Sequence, residues 1–484
     1  MKLLATLVSA LLCACASASL HGAHANARAV VNASTFSLTS DPVDAGFCDD
    51  TKQYSGYFKI DGSKSKNYFY WFFESRGDPE NDPVIIWLTG GPGCSSILAL
   101  FQENGPCTIK DDMTLEKNPY SWNERANIMW IDQPVGVGFS YGDKSEYDST
   151  EKEVGDDMFH FLQSFFKMYP KYQKQPFYVF GESYAGHYVP AVAHRVFEGN
   201  NKKEGLHINL SGFGIGNGLT DPQVQYKYYP QMAYNNTYGV KAVEYIVYLA
   251  MKAAVKPCIS MIEKCQTHDA ACISAQGFCN AALVGPYSAS GLNVYDVRED
   301  CKYPPLCYDF TNVEKFLRLP STLEKLHVNK HSAKWESCNM DVHAKFSYDW
   351  MKNFHHLVVP MIESGIEGLV YAGDADFIVN WYGCKAWTLE LEWSKKAEFQ
   401  AAEDKDWVVD GKKAGKLRNV GPFSFLQVFE AGHMVPLNQP KNSLVMLKQF
   451  TKVNGESWST SVSVDSGVPS KPGMEQVEDI MAVM

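Results

Sequence analysis

The 484-residue sequence lacks several features that would place it in a specialised class of protein. It has no basic tract or stripe, and acidic residues outnumber basic residues by 55 to 44, so the formal net charge of −11 argues against nucleic acid as the main partner. It also has no internal repeat. With 45% hydrophobic and 20% charged residues, the composition is that of a globular protein and excludes a wholly disordered chain, a collagen and a coiled coil.

Long hydrophobic runs are also missing. After the first residues, no segment reaches the roughly 18 uninterrupted apolar residues of a membrane span, so we expect no transmembrane anchor. The run from Leu3 to Leu12 is short, follows Lys2 and precedes small residues through Ala18. This order predicts a secretory signal peptide over residues 1–18 rather than a buried N-terminal helix. Residues 19–40 are polar and lack periodicity, which predicts a propeptide or an N-terminal arm.

Cysteine, in contrast, is abundant, with 13 residues. Two of them, Cys13 and Cys15, lie in the predicted signal peptide. The other eleven are expected to form disulfides in an oxidising pathway, and their odd number leaves at least one thiol unpaired or intermolecular. Four cysteines recur every seven residues, without the closely spaced pairs of a zinc site, so two disulfides are favoured over a metal. They are Cys258, Cys265, Cys272 and Cys279, for which a nested pairing would staple a helical hairpin.

Three N-glycosylation sequons fit the same route. They begin at Asn32, Asn209 and Asn235. Signal peptide, cysteines and sequons together predict a protein of the secretory pathway.

From Tyr54 onward, apolar runs of strand length alternate with helical spacing. Two aromatic runs flank a predicted turn at Asp61-Gly62 and predict a hairpin over Tyr57–Ile60 and Tyr68–Phe73. A helix is predicted over Glu151–Tyr169. Further strands are predicted at Val84–Leu88, Ile128–Ile131, Phe177–Phe180, Ile208–Ile215, Leu369–Tyr371 and Leu426–Phe429.

This alternation predicts an α/β protein with a mostly parallel central sheet and helices on both faces. In such sheets the functional residues lie in loops beyond the carboxyl ends of the strands. The predicted α/β domain covers residues 41–455. Residues 221–355 interrupt the alternation and are interpreted as an inserted cap, and residues 456–484 as a C-terminal tail.

The strongest local signal is a strand that runs into Gly181-Glu182-Ser183 and is followed by small residues. A serine on a sharp strand-to-helix turn is a nucleophile elbow, and its neighbours are small because the turn is strained. The strict pattern has Gly two residues after the serine, where this chain has Ala185, which is still small. A serine hydroxyl is a poor nucleophile and needs a base that is oriented by an acid.

Candidates for the acid and the base follow in the expected chain order. Asp374 and Asp376 come directly after a predicted strand, and His433 lies in a Gly-flanked loop after the last one. The stretch Gly90-Gly91-Pro92-Gly93 also follows a strand and leaves backbone N–H groups unhindered. One of these, with the N–H of Tyr184, is suited to hold an oxyanion.

Four motifs in this order resemble the serine carboxypeptidase family of carboxypeptidase Y and cathepsin A. They are Trp87–Ser96, Gly181–Gly186, Gly373–Phe377 and Gly432–Pro436. The resemblance extends from about Tyr54 to Phe450, with further matching stretches at Asp132–Tyr141, Ile215–Pro222 and Glu336–Asn339. It implies an α/β-hydrolase fold and the release of C-terminal amino acids from peptides and proteins through an acyl-enzyme. It implies no cofactor and no metal.

The resemblance also implies roles for individual residues. Ser183 is the implied nucleophile, His433 the general base and Asp376 its orienting acid, with oxyanion donors at Gly91 and Tyr184. The implied binding residues are Trp87, Thr89, Gly90, Glu103 and Glu182 for the terminal carboxylate, Tyr184, Leu219, Tyr226, Tyr229, Trp350 and Ile378 for the side chain before the scissile bond, and Tyr295, Tyr308 and Met434 for the last residue. The implied disulfides are Cys94–Cys338, Cys258–Cys279, Cys265–Cys272 and Cys301–Cys307, which leaves Cys48, Cys107 and Cys384 unassigned.

The pair of glutamates has a physical rationale in an exopeptidase. A substrate carboxylate is repelled by two ionised carboxylates, but two close glutamates raise each other's tendency to hold a proton. A protonated carboxyl can donate a hydrogen bond to the substrate. We therefore expect peptide binding to favour acidic pH, as in a lysosome or vacuole, with secretion as the other expected destination.

Two positions depart from the family pattern. Thr89 stands where many members have Asn, which keeps a donor with a shorter reach. Val379 stands where carboxypeptidase Y has a free cysteine beside the pocket, so inactivation by thiol reagents at that position is not expected.

Two other functions stay open at this point. One is an acyltransferase of the same fold, in which an alcohol or amine replaces water. The other is a protective or binding protein with secondary catalytic activity, since cathepsin A also stabilises partner glycosidases. Glu103 and Glu182, which suit a free carboxylate, favour the peptidase. The oligomeric state, monomer or homodimer, is not predicted.

Overall fold

The structure, a computed structural model, describes residues 29–32, 36–60 and 66–459. The predicted signal peptide, the turn at Asp61-Gly62 and the predicted tail beyond residue 459 lie outside these residues. The side chain of Asn32, the first sequon, lies outside the description as well.

Strands and helices alternate along most of the chain. The strands are β1 (Ala29–Asn32), β2 (Phe36–Val43), β3 (Gln53–Ile60), β4 (Lys66–Phe73), β5 (Val84–Thr89), β6 (Cys107–Ile109), β7 (Leu115–Lys117), β8 (Asn127–Ile131), β9 (Phe177–Glu182), β10 (Leu210–Gly216), β11 (Leu292–Asn293), β12 (Asp296–Asp300), β13 (Glu367–Gly373), β14 (Lys405–Val409), β15 (Lys412–Val420) and β16 (Phe423–Val428).

The helices cover both faces of the sheet and most of the insertion. They are α1 (Ile97–Gln102), α2 (Glu151–Met168), α3 (Ala185–Lys202), α4 (Pro222–Gln225), α5 (Tyr229–Tyr234), α6 (Tyr245–Thr267), α7 (Ala270–Cys279), α8 (Gly285–Ser288), α9 (Thr311–Leu317), α10 (Pro320–Lys325), α11 (Met340–Lys345), α12 (His355–Glu363), α13 (Trp381–Glu390), α14 (Lys396–Ala401), α15 (Val435–Asn438) and α16 (Pro440–Thr451).

The described residues form a 12-stranded sheet in the order β1-β2-β3-β4-β8-β5-β9-β10-β13-β16-β15-β14. The strands from β8 to β16 in this order pair in parallel. The strands at both edges pair antiparallel, so the prediction of a mostly parallel sheet holds for the centre only. Short connections explain the edges: β14 and β15 are joined by the turn at Asp410 and Gly411, which is too short for a parallel crossover.

The hydrophobic core lies on both faces of the sheet. In β4, Tyr70 and Phe72 join the buried cluster under α2 and α3, whereas Phe69 and Trp71 join the cluster under α1 and α16. Alternate residues of a strand point to opposite faces, so a strand covered on both sides is apolar throughout. With helices on both faces, this is the α/β-hydrolase arrangement that the motifs predict.

The predicted elements correspond closely to the observed ones. The aromatic hairpin is confirmed as β3 and β4, which pair antiparallel. The predicted helix at Glu151 is α2, and its N-terminus has a capping box between Thr150 and Glu153. Part of the predicted N-terminal arm, residues 19–40, forms strands that its sequence did not indicate. β1 and the first half of β2 lie in this arm and extend the sheet at its edge.

Five disulfides are present in the described part of the chain. Four pair the cysteines as the resemblance implies, including the nested bridges Cys258–Cys279 and Cys265–Cys272 between α6 and α7. The fifth joins Cys48 to Cys107, a pairing that the sequence left open. Cys384 is the free cysteine of the described residues and is buried.

Helix α6 is a candidate membrane span, whereas the sequence predicts none. By length and composition alone it could cross a membrane, and 17% of its most apolar window is buried. Its apolar run is not uninterrupted, because Lys252 and Lys256 lie within it. One such helix is weak evidence for a span, and in this structure two disulfides join it to α7.

Candidate active site

Ser183 lies on a sharp turn between β9 and α3. Its φ of 67° is left-handed, a conformation that costs a non-glycine residue free energy and persists only when the surroundings fix it. The Ser183 N–H donates to the Gly216 carbonyl at 3.1 Å, and the Leu219 N–H donates to the Ser183 carbonyl at 2.9 Å. A Cβ on Gly186 would lie 2.5 Å from the Leu219 nitrogen, so the turn requires a small residue there. The sequence therefore forms a nucleophile elbow.

The acid and the base form a buried pair. His433 follows β16, Asp376 follows β13, and His433 Nδ1 lies 2.8 Å from Asp376 Oδ2. Burial raises the pKa of the Asp376 carboxyl, and the neighbouring His433, the Val379 N–H and the Asn217 amide act against that rise. The Ile378 N–H donates to the other oxygen, Oδ1, at 3.0 Å. These bonds fix the carboxylate and leave Nε2 as the nitrogen that can face the nucleophile.

Ser183, Asp376 and His433 lie on the same side of the sheet. Each follows the carboxyl end of a parallel strand, and β9, β10, β13 and β16 are neighbours in the sheet. Within the described residues, Ser183 Oγ makes no hydrogen bond with His433. Such bonds are often long before substrate binds and tighten in the complex.

Asn217 is a residue that sequence reasoning did not single out. It follows β10 with a φ of 35°, and its amide donates to Asp376 Oδ2 at 2.9 Å. Its side-chain oxygen, Oδ1, accepts the Gly373 N–H at 2.9 Å. Asn217 therefore ties the acid to the neighbouring strand. The signal was the matching stretch Ile215–Pro222, which carried the residue without indicating a role.

The glycine-rich loop after β5 packs against the elbow. A Cβ on Gly90 would lie 2.3 Å from the Tyr184 nitrogen, so only glycine allows this approach. Gly91, with a φ of 112°, continues the loop. The loop that carries the Gly91 N–H therefore lies beside the Tyr184 N–H, as the predicted oxyanion site requires.

Glu103 at the end of α1 and Glu182 at the end of β9 form a buried carboxyl pair. Burial raises the pKa of Glu103 to about 7 and that of Glu182 well above its usual range, and the charge of Glu103 adds to the rise at Glu182. Both oxygens of Glu103 and Oε2 of Glu182 lack a hydrogen-bond donor in the described structure. Two carboxylates offer only acceptors to each other, so a bond between them requires a proton on one. The pair is therefore suited to hold that proton.

Trp87 is implied by the resemblance to help bind the terminal carboxylate, and the structure shows where its one hydrogen-bond donor goes. It is fully buried, and its Nε1–H donates to the Thr89 hydroxyl at 3.0 Å. Because indole has a single donor, none is left for a substrate carboxylate. Trp87 orients Thr89, whose hydroxyl accepts this bond and keeps its own proton to donate.

The aromatic residues expected around the substrate side chains lie together. Trp350 donates to the Tyr226 hydroxyl at 3.2 Å, and the Tyr229 hydroxyl donates to the Ile378 carbonyl at 2.7 Å. The Tyr184 ring lies 5.3 Å from the Trp350 ring. Leu219 is bonded to the elbow, as described above. These contacts connect residues of the predicted cap to the turn of Ser183.

A second group of expected binding residues lies on the other side of the base. The Tyr295 ring lies 5.0 Å from the His433 imidazole and 5.1 Å from the Tyr308 ring. Met434 follows His433 in the chain and is buried. The predicted cap and the loop of His433 therefore line the same side of the candidate site.

A second buried carboxyl pair, missed by sequence reasoning, lies behind the elbow. Glu151 at the start of α2 and Asp349 of the cap are distant in the chain, and the Tyr184 hydroxyl donates to Asp349 at 3.3 Å. Burial raises the pKa of Asp349 to about 7 and that of Glu151 well above its usual range. No local pattern indicates a pair that tertiary packing alone brings together.

The free thiol lies under the loop that follows Asp376. Cys384 Sγ is 3.5 Å from the Val379 carbonyl oxygen, and burial raises the pKa of the thiol.

The two sequons inside the described residues differ: Asn235 is exposed, whereas the Asn209 amide donates to the Lys174 carbonyl at 3.0 Å.

Comparisons with known proteins agree with this geometry. A family model described as serine carboxypeptidase matches residues 44–453. Carboxypeptidase Y homolog A of Uncinocarpus reesii is 45% identical over 428 residues, which cover 86% of this chain and 77% of the relative. Carboxypeptidase Y of Komagataella phaffii is 42% identical over 407 residues, covering 83% and 76%. The solved structure of Kex1(delta)p, a prohormone-processing carboxypeptidase from Saccharomyces cerevisiae, has a TM-score of 0.75 at 27% identity and covers 84% of this chain and 93% of its own.

Proposed function

Since the chain belongs to the serine carboxypeptidase family and is a serine-type carboxypeptidase, we propose that Ser183 is its nucleophile, His433 its general base and Asp376 the acid that orients the base. The observation that carries this proposal is the buried His433–Asp376 pair, 2.8 Å apart, at the sheet edge where Ser183 forms the elbow.

The proposed reaction starts with attack of Ser183 Oγ on the carbonyl of the last peptide bond. His433 Nε2 takes the hydroxyl proton and returns it to the leaving amine, so the C-terminal amino acid departs and an acyl-enzyme remains. The N–H groups of Gly91 and Tyr184 stabilise the oxyanion of the tetrahedral intermediate. Water then attacks the acyl-enzyme by the same steps in reverse.

The proposed exopeptidase specificity depends on the pair Glu103 and Glu182. Holding a proton, the pair donates a hydrogen bond to the terminal carboxylate, and the Thr89 hydroxyl supplies a second donor. Each proton that the pair loses adds a negative charge that repels the terminal carboxylate, so peptide binding weakens as the pH rises through the pKa of Glu103. A site built for a free carboxylate favours the peptidase over the acyltransferase, whose acceptor is an alcohol or amine.

The disulfides fit an oxidising secretory compartment. Within that pathway we propose an acidic organelle, a lysosome or vacuole, because a pH below the raised pKa of Glu103, about 7, keeps both glutamates protonated and the pair uncharged.

Release of the C-terminal amino acid from a blocked dipeptide tests the proposal. The protein is expected to release it, and Ser183→Ala is expected to retain only the roughly thousandfold rate over water that an oxyanion site and binding supply. Absence of release at every pH from about 4 to about 8 would reject the proposed function.

A further inference from the structure

Residues 294–298 of the cap follow β11 and include the first three residues of β12, and they lie across the loop of the proposed catalytic acid, Asp376. The Val294 carbonyl accepts the Phe377 N–H at 3.2 Å and the Ile378 N–H at 2.9 Å. The Val297 N–H donates to the Ala375 carbonyl at 2.8 Å. The residues on both sides of Asp376 are therefore bonded to one cap segment.

The same segment also holds the loop of the base. The Tyr295 carbonyl accepts the His433 N–H at 2.8 Å. A Cβ on Gly432 would lie 2.5 Å from that carbonyl oxygen, so the two backbones are in direct contact. The relative position of acid and base thus depends on where residues 294–298 lie.

Arg298 fixes this segment through its side chain. Its guanidinium binds Asp296 with two bonds, from Nε to Oδ1 at 2.8 Å and from Nη2 to Oδ2 at 2.6 Å. Its Nη1 binds Glu430 Oε2 at 2.7 Å, three residues before His433. A planar guanidinium holds such an arrangement with little freedom, which an ammonium does not reproduce.

A third carboxylate completes the group. The Arg298 guanidinium lies 5.3 Å from the centre of the Tyr238 ring. The Tyr238 hydroxyl donates to Asp374, two residues before Asp376. Asp374 is the acid that the motif contains and the proposed mechanism does not use.

Charge makes Arg298 necessary to this group. It brings together Asp296, Asp374 and Glu430, and in the described part of the chain the salt bridges of Asp296 and Glu430 are with Arg298. Without the guanidinium, three carboxylates would face one another beside the loops of Asp376 and His433.

We propose that Arg298 is a positioning residue for the reaction, which sets the geometry of His433 against Asp376 by holding the cap segment to both catalytic loops. The inference rests on the proposed triad. Arg298 does not touch the substrate, so its loss is expected to lower kcat and leave KM nearly unchanged, since a displacement of about 1 Å at a catalytic group can lower the rate about a hundredfold.

The test compares Arg298→Gln with Arg195→Gln, using hydrolysis of a blocked dipeptide, the rate of Ser183 modification by an organophosphorus fluoride, and Tm. Arg195 is a matched control because it also joins two carboxylates, Asp156 and Glu204, but lies away from the site. We expect Arg298→Gln to lower kcat and the modification rate about tenfold or more, with KM within about twofold. Arg298→Lys is expected to recover part of this loss, and Arg195→Gln to keep wild-type kcat with a similar change in Tm.

A kcat of Arg298→Gln within about twofold of Arg195→Gln, or a raised KM at unchanged kcat, would overturn the inference. If Arg298→Gln does not fold, the double variant Tyr238→Phe with Glu430→Gln keeps the guanidinium and removes its links to both loops. The expected result is again a loss in kcat, and unchanged kcat overturns the inference. Failure of the triad itself is distinguishable, because Ser183→Ala would then retain wild-type activity.

Discussion

Asn217 connects the catalytic acid to the neighbouring strand through a donor at 2.9 Å. Asn217→Asp is nearly isosteric, but it replaces this donor by an oxygen that repels Asp376. We expect kcat to fall by about tenfold to a hundredfold, the range observed when a group that orients a buried functional residue is lost. The measurement is dipeptide hydrolysis. Asn419→Asp, the same change on an exposed strand position, is expected to keep wild-type kcat, and equal activity in the two variants would contradict the assignment.

Cys384 gives a second residue-scale prediction. Its side chain is buried and burial raises the pKa of its thiol, so little reactive thiolate is available. Thiol reagents are expected to leave peptidase activity unchanged, and the Cys384 thiol to react only after unfolding. Rapid inactivation of the folded protein, abolished by Cys384→Ser, would show that the thiol is accessible.

The residues of the proposed triad have local sequence signals, whereas the residues that support them do not. Ser183 and His433 lie in glycine-flanked loops directly after apolar strands, and the chain order of acid and base is diagnostic. Arg298 and Asn217 act through contacts that only the folded chain creates. Trp87 is implied by the resemblance to help bind the carboxylate, and in the structure its donor binds Thr89, so any such help acts through that residue.

At the scale of elements, the start of α2 links a local motif to the site. Thr150, the N-cap, and Glu153 form its capping box. Glu151, the first residue of the helix, lies against Asp349 of the predicted cap. Thr150→Ala removes one side of the box and is expected to cost about 1 kcal/mol of stability. A lower Tm with unchanged kcat is the expected result. Glu198→Gln in the exposed last turn of α3 is the control, with little expected effect.

Element type followed from the sequence more reliably than pairing direction. Alternating apolar runs predicted the central strands and α2 near their observed bounds. The edge strands β1 and β2 were missed because a strand at a sheet edge needs less apolar alternation. The short strand β12, which carries Arg298, and the connection before it, which carries Tyr295, lie in a predicted cap segment without a periodic signal.

For the whole molecule, the buried acids predict a stability that is greatest in acid. Burial raises the pKa values of several carboxyls, so the folded protein binds more protons than the unfolded chain between about pH 4 and pH 7. Their contribution is fully present below their unfolded pKa values and is lost as pH rises through the folded ones. The groups with folded pKa values of about 7 are Glu103, Asp132, Asp148 and Asp349.

Tm is therefore expected to be several degrees higher at about pH 5 than at about pH 8. Glu151→Gln removes one acid of the pair with Asp349 and is expected to reduce this difference, while the exposed Glu363→Gln is expected to leave it unchanged. A Tm that rises from pH 5 to pH 8 would contradict the account of the buried acids.

The most direct test of the central claim is the pH dependence of kcat/KM for a blocked dipeptide and for its C-terminal amide, which lacks the carboxylate. In the wild type, kcat/KM for the dipeptide is expected to fall as the pH rises through about 7, because Glu103 then loses its proton and the pair gains a negative charge that repels the substrate carboxylate; for the amide it is expected to fall less. In the double variant Glu103→Gln with Glu182→Gln, the two substrates are expected to show the same pH dependence. If the double variant keeps the wild-type acid preference for the dipeptide, the carboxyl pair is not the group that recognises the substrate's C-terminus.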